Sequence, residues 1–301
     1  MKIDLDSLTE FTQLELLARQ LVEGFITGLH KSPYHGFSVE FAEHSLYNDG
    51  DNIKNIDWKV FAKTDRLYVK KFDEETNLRC QILIDQSGSM YYPVESRGKI
   101  KFALLTAAAL AYILQKQRDA VGISIFSDKV DHVSPIKSTR THLNSIYTSL
   151  EETFKREQFQ SKTRVAPVLH EIAERNSRRS LVIILSDMFD SDEDSQELFL
   201  ALQHLKHKKH EVLMFHITDR NTEHEFNFDE KPYEFIDLES GEKMKLTPSM
   251  VKENYMKEVS LFYKELKLKC ARYKIDFIEA DISEDFNNVL RSYFIKRSKM
   301  R

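Results

Sequence analysis

From residue 80 onward the chain alternates short runs of aliphatic and β-branched residues with longer stretches whose apolar positions recur every three or four residues. The short runs read as buried strands and the longer stretches as helices with one face on a core. Strands are expected at Cys80–Ile84, Val121–Phe126, Leu181–Leu185, Val212–Ile217 and Ile275–Ala280. Helices are expected at Ile100–Gln117, Arg140–Glu152, Val165–Asn176, Ser195–His207 and Pro248–Tyr273. A last helix over Glu284–Lys299 would be capped by Ser283. This order predicts an α/β fold, a doubly wound and mainly parallel sheet covered by helices on both faces.

Two regions break the rhythm. Residues 221–246 lack helical periodicity, and the alternation Tyr233-Glu234-Phe235-Ile236-Asp237 followed by Glu239-Ser240-Gly241 predicts a hairpin inserted at the edge of the sheet. The first 79 residues are the other exception. Ser7 and Glu10 are spaced as a capping box ahead of a helix that reaches about Leu29. Extended segments follow at Phe37–Phe41 and Leu67–Phe72, the second expected to pair antiparallel with the Cys80 strand through residues 73–77. That pairing would dock the N-terminal region on the main domain. The expected division is therefore 1–79 and 80–301, the latter carrying the insertion at about 221–246.

Composition narrows the class of protein. With 301 residues, 41% hydrophobic and 31% charged, the chain has enough apolar material for one full core and a small accessory unit. A net charge of -4 gives no reason to expect nucleic acid as a partner. The start, MKIDLDSLTEF, is acidic where a secretory signal is basic, and the longest apolar run, Phe102–Leu114, is shorter than the roughly 20 residues that span a bilayer. A cytoplasmic protein with no membrane span is expected. Cys80 and Cys270 are too few for a disulfide framework and read as reduced, buried side chains.

The candidate chemistry begins where the Cys80 strand ends. Asp85, Ser87 and Ser89 follow it in one loop, and a carboxylate with two hydroxyls at alternate positions suits a hard divalent cation. The strand Leu181–Leu185 ends in Ser186-Asp187, and Thr163 stands just before the Val165 helix. In an open parallel sheet, loops at the carboxyl ends of the strands gather ligands. A competing reading makes Asp85–Ser89 a turn and N-cap for the Ile100 helix.

The series Asp85-Gln86-Ser87-Gly88-Ser89, Thr163 and Ser186-Asp187 resembles the metal-ion-dependent adhesion site of von Willebrand factor type A domains. The resemblance implies a Rossmann-type sheet and a Mg2+ or Mn2+ ion held directly by Ser87, Ser89 and Thr163. Asp85 and Asp187 would act largely through water, leaving the ion electrophilic enough to take a carboxylate from a partner protein. Arg164 departs from the acidic residue that many relatives carry after the Thr.

A second resemblance covers Gly36–Glu75. Glu40-Phe41, Tyr47, Gly50-Asp51, Ile56-Asp57-Trp58, Ala62-Lys63 and Glu74-Glu75 are similar to the signature of the domain of unknown function 58 family, which there precedes a type A-like domain. Members are linked with MoxR-type AAA+ ATPases, so the resemblance implies a non-enzymatic adaptor between such an ATPase and a client protein. Ser45, Lys54 and Lys63 stand where Arg is common, and Lys lacks the bidentate fork of Arg. The segment reads either as anchored on the sheet through Trp58 and Tyr47, or as a partner-binding surface of Asp51, Lys54, Asp57 and Lys63.

Two other classes compete. A metal-dependent phosphoesterase or nuclease would use Asp85, Asp187 and Asp190, although such enzymes surround their ions with more carboxylates. A scaffold would work through the 221–246 insertion with the metal site structural or vacant. Neither a GxxxxGK[ST] phosphate loop nor a GxSxG elbow is present. His204, His207 and His210 read as dipole-complementing residues at a helix end. Asp190, Asp192 and Asp194 begin like a calcium loop but meet Ser195 and Ala201 where Gly and Glu belong.

Overall fold

The computed structural model describes residues 14–29, 43–46, 58–71, 78–155, 164–176, 179–188, 195–239 and 241–298. They fall into two compact units, one of residues 1–26 and 78–301 and the other of residues 27–77. Helix α1 (Leu14–Leu29) opens the described chain. The smaller unit contains β1 (Glu43–Leu46), α2 (Trp58–Thr64) and β2 (Tyr68–Lys71), with β1 and β2 paired antiparallel from Glu43 opposite Lys71 to Leu46 opposite Tyr68.

This pairing corrects the expectation that the Leu67–Phe72 segment joins the Cys80 strand. That strand, β3 (Arg79–Asp85), has both edges filled, by β4 (Ala120–Phe126) on one side and β6 (Leu181–Ser186) on the other. A strand hydrogen-bonded on both sides has no free backbone groups to offer a third. Trp58 is also not the buried anchor that one reading required. It is 59% exposed, makes an edge contact to Phe61, and no residue of the seven-residue α2 is buried. Two turns of helix enclose too little surface to cover an indole. The expected strand at Phe37–Phe41, together with Ser7, Glu10 and Tyr47, lies outside the described residues.

In the larger unit β5 (Val130–Val133), β7 (Glu211–Thr218) and β10 (Asp276–Asp281) complete a six-stranded sheet ordered β10-β7-β6-β3-β4-β5. All neighbours are parallel except β5, which runs antiparallel to β4 at the edge. Alternate residues of β3 point to opposite faces, so Ile82 and Ile84 join one core and Leu83 the other. On the first face lie α1, α3 (Gly98–Lys116), α4 (Arg140–Lys155) and α8 (Asn287–Ser298). On the second lie α5 (Val165–Arg175), α6 (Ser195–His207) and α7 (Lys252–Arg272). This is the doubly wound α/β architecture expected from the alternation of patterns.

The burial of α3 explains its composition. Its middle reads FALLTAAALAYIL, apolar on every side, because the helix is enclosed on nearly every side in the first core. It is long and apolar enough to cross a membrane, yet 89% of that stretch is buried within the protein. Helix α1 adds Leu14, Ala18, Leu21 and Val22, fully or almost fully buried at helical spacing, to the same core. At the start of α8 the cap is Asp285, which accepts from Asn287 N at 2.9 Å, and not Ser283. Ser283 instead donates through both its N and its Oγ to Asp281. The two cysteines are free and buried.

Because α1 shares a core with α3, Leu14→Ala should lower the free energy of unfolding by about 2–5 kcal/mol in urea titration. A change below about 0.5 kcal/mol would show that α1 is not part of that core.

Candidate metal centre

Strands β3 and β6 are hydrogen-bonded neighbours running in the same direction, so their carboxyl ends deliver Asp85 and the Ser186-Asp187 pair side by side. Asp85 is completely buried. Its Oδ1 accepts from Ser87 N (2.9 Å), closing a tight turn, and its Oδ2 accepts from Ser186 Oγ (2.6 Å). Ser186 Oγ in turn accepts from Met188 N at 2.9 Å, which fixes its proton toward Asp85. Ser87 then starts a short 3-10 turn over Gly88–Tyr91, and its Oγ lies 3.1 Å from Ser89 Oγ.

The competing cap reading is answered by this turn. Helix α3 starts at Gly98, nine residues after Ser89, with Arg97 at its N-cap position in a left-handed conformation. Asp85, Ser87 and Ser89 therefore cap nothing in α3. The loop is held from the other side by β4, through Gln86 N to Phe126 O at 2.8 Å, and by β5, through Gln86 Nε2 to Asp131.

Two residues that sequence reasoning missed complete the cluster. Lys99, the second residue of α3, is 1% exposed and directs its ammonium at Asp187 Oδ2 (2.8 Å) and Glu223 Oε1 (2.5 Å). Burial opposes charge on this lysine, but Asp187 and Glu223 more than offset it and raise its pKa. Glu223 sits in a single π-helical turn, Arg220–His224, directly after β7, and its second oxygen accepts from Asp219 N at 2.8 Å. Its pKa is raised by burial first, with Lys99 opposing. Asp85 is held well above the ordinary carboxylate range, by burial first and then by the charge of Asp187, while its bonds to Ser186 and Ser87 pull the other way. A signal for Lys99 was available, since it abuts an all-apolar helix where a charge is costly unless paired. Nothing in the pattern of residues 221–246 marks Glu223.

The hairpin forms as expected but not at the edge of the sheet. Strands β8 (Tyr233–Ile236) and β9 (Lys243–Leu246) pair antiparallel, and Phe226, Phe228, Tyr233 and Phe235 pack as an aromatic cluster that reaches Tyr255 of α7. Its turn lies over the Asp85–Ser89 loop, where a Cβ on Gly88 would stand 2.5 Å from the Leu238 carbonyl oxygen. Glycine is required there by close approach of backbone to backbone.

The residues fit a hard cation. Octahedral ligands at about 2.1 Å place neighbouring oxygens about 3 Å apart, the spacing that Ser87 Oγ and Ser89 Oγ show. Asp85 and Asp187 stand on the neighbouring strand ends, Asp85 held by Ser87 and Ser186 and Asp187 by Lys99. Thr163 lies outside the described residues, although Arg164, the next residue, donates its backbone N–H to Ser127 O just past the end of β4. Asp51, Lys54, Asp57 and Asp190 also lie outside them, while Lys63 is exposed near the end of α2. Among the described residues no group of three or more His, Cys, Asp and Glu has the arrangement of a metal site. A hydroxyl-based site is of another kind.

Comparison with known proteins places the chain. It matches the family described as "Protein of unknown function DUF58" over residues 43–261. The chain belongs to the DUF58 family. Uncharacterized proteins of Mycobacterium bovis and Mycobacterium tuberculosis are 24% identical to it over 174 residues, 58% of this chain and 55% of each relative. This DUF58 chain thus spans about half the length of the curated relatives it matches. Among solved structures, it is similar to BatB, a conserved hypothetical protein of Bacteroides thetaiotaomicron, with a TM-score of 0.43 and 12% identity over 74% of this chain and 99% of that one. It is also similar to an aerotolerance-related membrane protein of Bacteroides fragilis, with a TM-score of 0.42 and 14% identity over 73% of this chain and 97% of that one. At such scores neither likeness bears on function.

Two of the three helix-end histidines have polar partners. His210 Nδ1 accepts from Ser180 N, and His204 pairs with Glu174 and His170. His216 of β7 is different, being fully buried among aromatic neighbours, Tyr263 and Phe277.

Two expectations follow. Gly88→Ala should cost about 1–3 kcal/mol in chemical denaturation, because the Leu238 backbone must move; an unchanged midpoint would mean that the hairpin does not lie on the loop. His216 has its pKa lowered from 6.5 to about 4, by burial first, with Asp187 opposing. Between those values the unfolded chain takes a proton that the folded one refuses, so stability falls as pH drops through that window. Replacing it, His216→Phe, should shrink the loss between pH 7 and pH 4 by about 3 kcal/mol, and an equal loss in both proteins would contradict this.

Proposed function

We propose that this DUF58 protein is a non-enzymatic interaction module that binds a partner's carboxylate through a divalent cation, Mg2+ or Mn2+, in a site like that of von Willebrand factor type A domains. The observation that carries the proposal is the pair of hydroxyls, Ser87 and Ser89, set 3.1 Å apart beside two buried carboxylates on neighbouring strand ends. Ser87, Ser89 and Thr163 would hold the ion, with Asp85 and Asp187 as its charge partners through water. Once bound, the ion supplies an electrophilic position for a carboxylate ligand. The side chains here bind and orient: Ser186 and the Ser87 N–H keep Asp85 aimed, and Lys99 keeps Asp187 aimed. A hydroxyl-rich set favours gripping a ligand over activating a water for attack, which needs more carboxylate around the ion.

By its family resemblance the protein acts in the cytoplasm as an adaptor between a MoxR-type AAA+ ATPase and a client. The hairpin turn on the loop means that a partner reaching the ion also meets residues 237–239, so the insertion is part of the same recognition face. One observation favours a second reading, a scaffold whose metal site is vacant: the Lys99 ammonium already gives Asp187 a cation.

The two readings separate in one experiment. A MoxR-type ATPase from the same cell should be retained on the immobilised chain in Mg2+, and retention should fall at least tenfold with EDTA or with Asp85→Ala. Retention indifferent to both treatments would remove the metal bridge and leave the scaffold.

A further inference from the structure

The two edges of the six-stranded sheet are built differently. At one, β5 is four residues long and its register with β4 breaks between Ile125 and Phe126, features that keep an edge from pairing with another chain. At the other, β10 runs six residues in unbroken parallel register with β7, from Asp276 opposite Leu213 to Asp281 opposite Thr218. Among the described residues β7 is its only strand neighbour. Phe277 and Ile278 are only partly buried, and the exposed Glu279 is tied to Lys267 of α7 at 2.9 Å. Beside them a cleft of about 360 Å³ is lined by Lys267 and Ala271 of α7, Ile278, and Ser292 and Ile295 of α8, the last 49% exposed.

The alternation of the ladder decides which backbone groups point outward. Ile282 N donates to Thr218 O at the end of β7, and in a parallel pair every second residue bonds the same neighbour. Ala280 and Ile278 therefore face β7, while Phe277 and Glu279 turn their N–H and C=O groups to the open side. The flanking positions are already engaged: Ile275 N donates to Cys270 O, and the Asp281 carbonyl accepts from Glu284 N.

These two residues suit a second copy of the same strand. In an antiparallel pair, outward-facing residues stand opposite one another and exchange both N–H···O bonds. An axis through Ile278 sets Phe277 opposite the partner's Glu279 and Glu279 opposite the partner's Phe277, so both residues are satisfied in both copies. Asp276 then faces the partner's Ala280, and no like charges meet. An axis through Glu279 would set that carboxylate against its own copy, and an axis through Phe277 would call on Ile275, whose N–H is taken.

We propose that β10 is a self-complementary dimer edge, at which two copies of this chain pair antiparallel about a two-fold axis through Ile278 and join their sheets into one. The two Ile278 side chains meet across the axis, beside Ile295 of each α8, and the apolar lining of the cleft is covered. Since β3 and β10 run in the same direction, the Asp85 loops of the two copies point opposite ways along the joined sheet. The proposal is independent of the metal reading.

Sedimentation velocity of the full chain should show a dimer at micromolar concentration. Ile278→Lys and Ile278→Glu each set like charges on the axis and should each weaken dimerisation at least about tenfold, while an equimolar mixture of the two should dimerise again. Only on the axis does a residue meet its own copy, so recovery in the mixture is specific to this register. Ile278→Cys keeps the test open if the charged variants do not fold. Under a mild oxidant it should give a disulfide-linked dimer, whereas Glu279→Cys, opposite the partner's Phe277, should not; Cys80 and Cys270 are buried and do not compete. A monomeric wild type, which would leave the edge to an extended segment of another protein, overturns the proposal. So does a dimer that survives both charged variants, or one that Ile278→Cys fails to cross-link.

Discussion

Two carboxylates buried side by side govern this protein. Asp85 and Asp187 arrive together because β3 and β6 are parallel neighbours that end at the same level, and the sheet gives them no choice of position. Buried charge must be compensated, and the surrounding structure is organised to do so. Ser186 and the Ser87 N–H take the oxygens of Asp85, and the Lys99 ammonium takes Asp187. Removing one member of such a buried set is expected to cost several kcal/mol, since the others are left uncompensated.

Other features of the larger unit follow from this demand. Helix α3 must begin close enough for its second residue to reach Asp187, while its remaining length is enclosed by apolar neighbours. The chain leaving β7 must turn at once, in a π-helical turn, to bring Glu223 to the same ammonium. That turn leads into the aromatic cluster and the hairpin, whose backbone lies on Gly88. The insertion is therefore connected to the candidate site at two points, through the charge of Glu223 and through the contact at Leu238.

Much of the fold was legible because buried parallel strands and their helices have simple patterns. The run CQILI could only be a strand covered on both faces, and the helices Arg140, Val165 and Ser195 begin where their periodicity begins. Strand β5, VDHV, was not seen, as four residues at a sheet edge show too little alternation to stand out. The Leu67–Phe72 segment was rightly read as extended but given the wrong partner, because pairing depends on which edges are free and no local pattern records that. At the site, Asp85, Ser87, Ser89 and Asp187 were found from their spacing after strands. Lys99 is marked only by its cost at the head of an apolar helix, and its partner Glu223 by nothing local, since the two join through space across 124 residues of chain.

The central claim is that this charged, hydroxyl-lined cluster is built around a divalent cation which Lys99 complements and does not replace. The most direct measurement is the anomalous diffraction of a crystal grown with Mn2+. The account predicts a single strong peak about 2.1 Å from Ser87 Oγ and Ser89 Oγ, with the Lys99 ammonium still between Asp187 and Glu223. A well-ordered loop without a peak at those hydroxyls, or a peak that displaces Lys99 from Asp187, would contradict it.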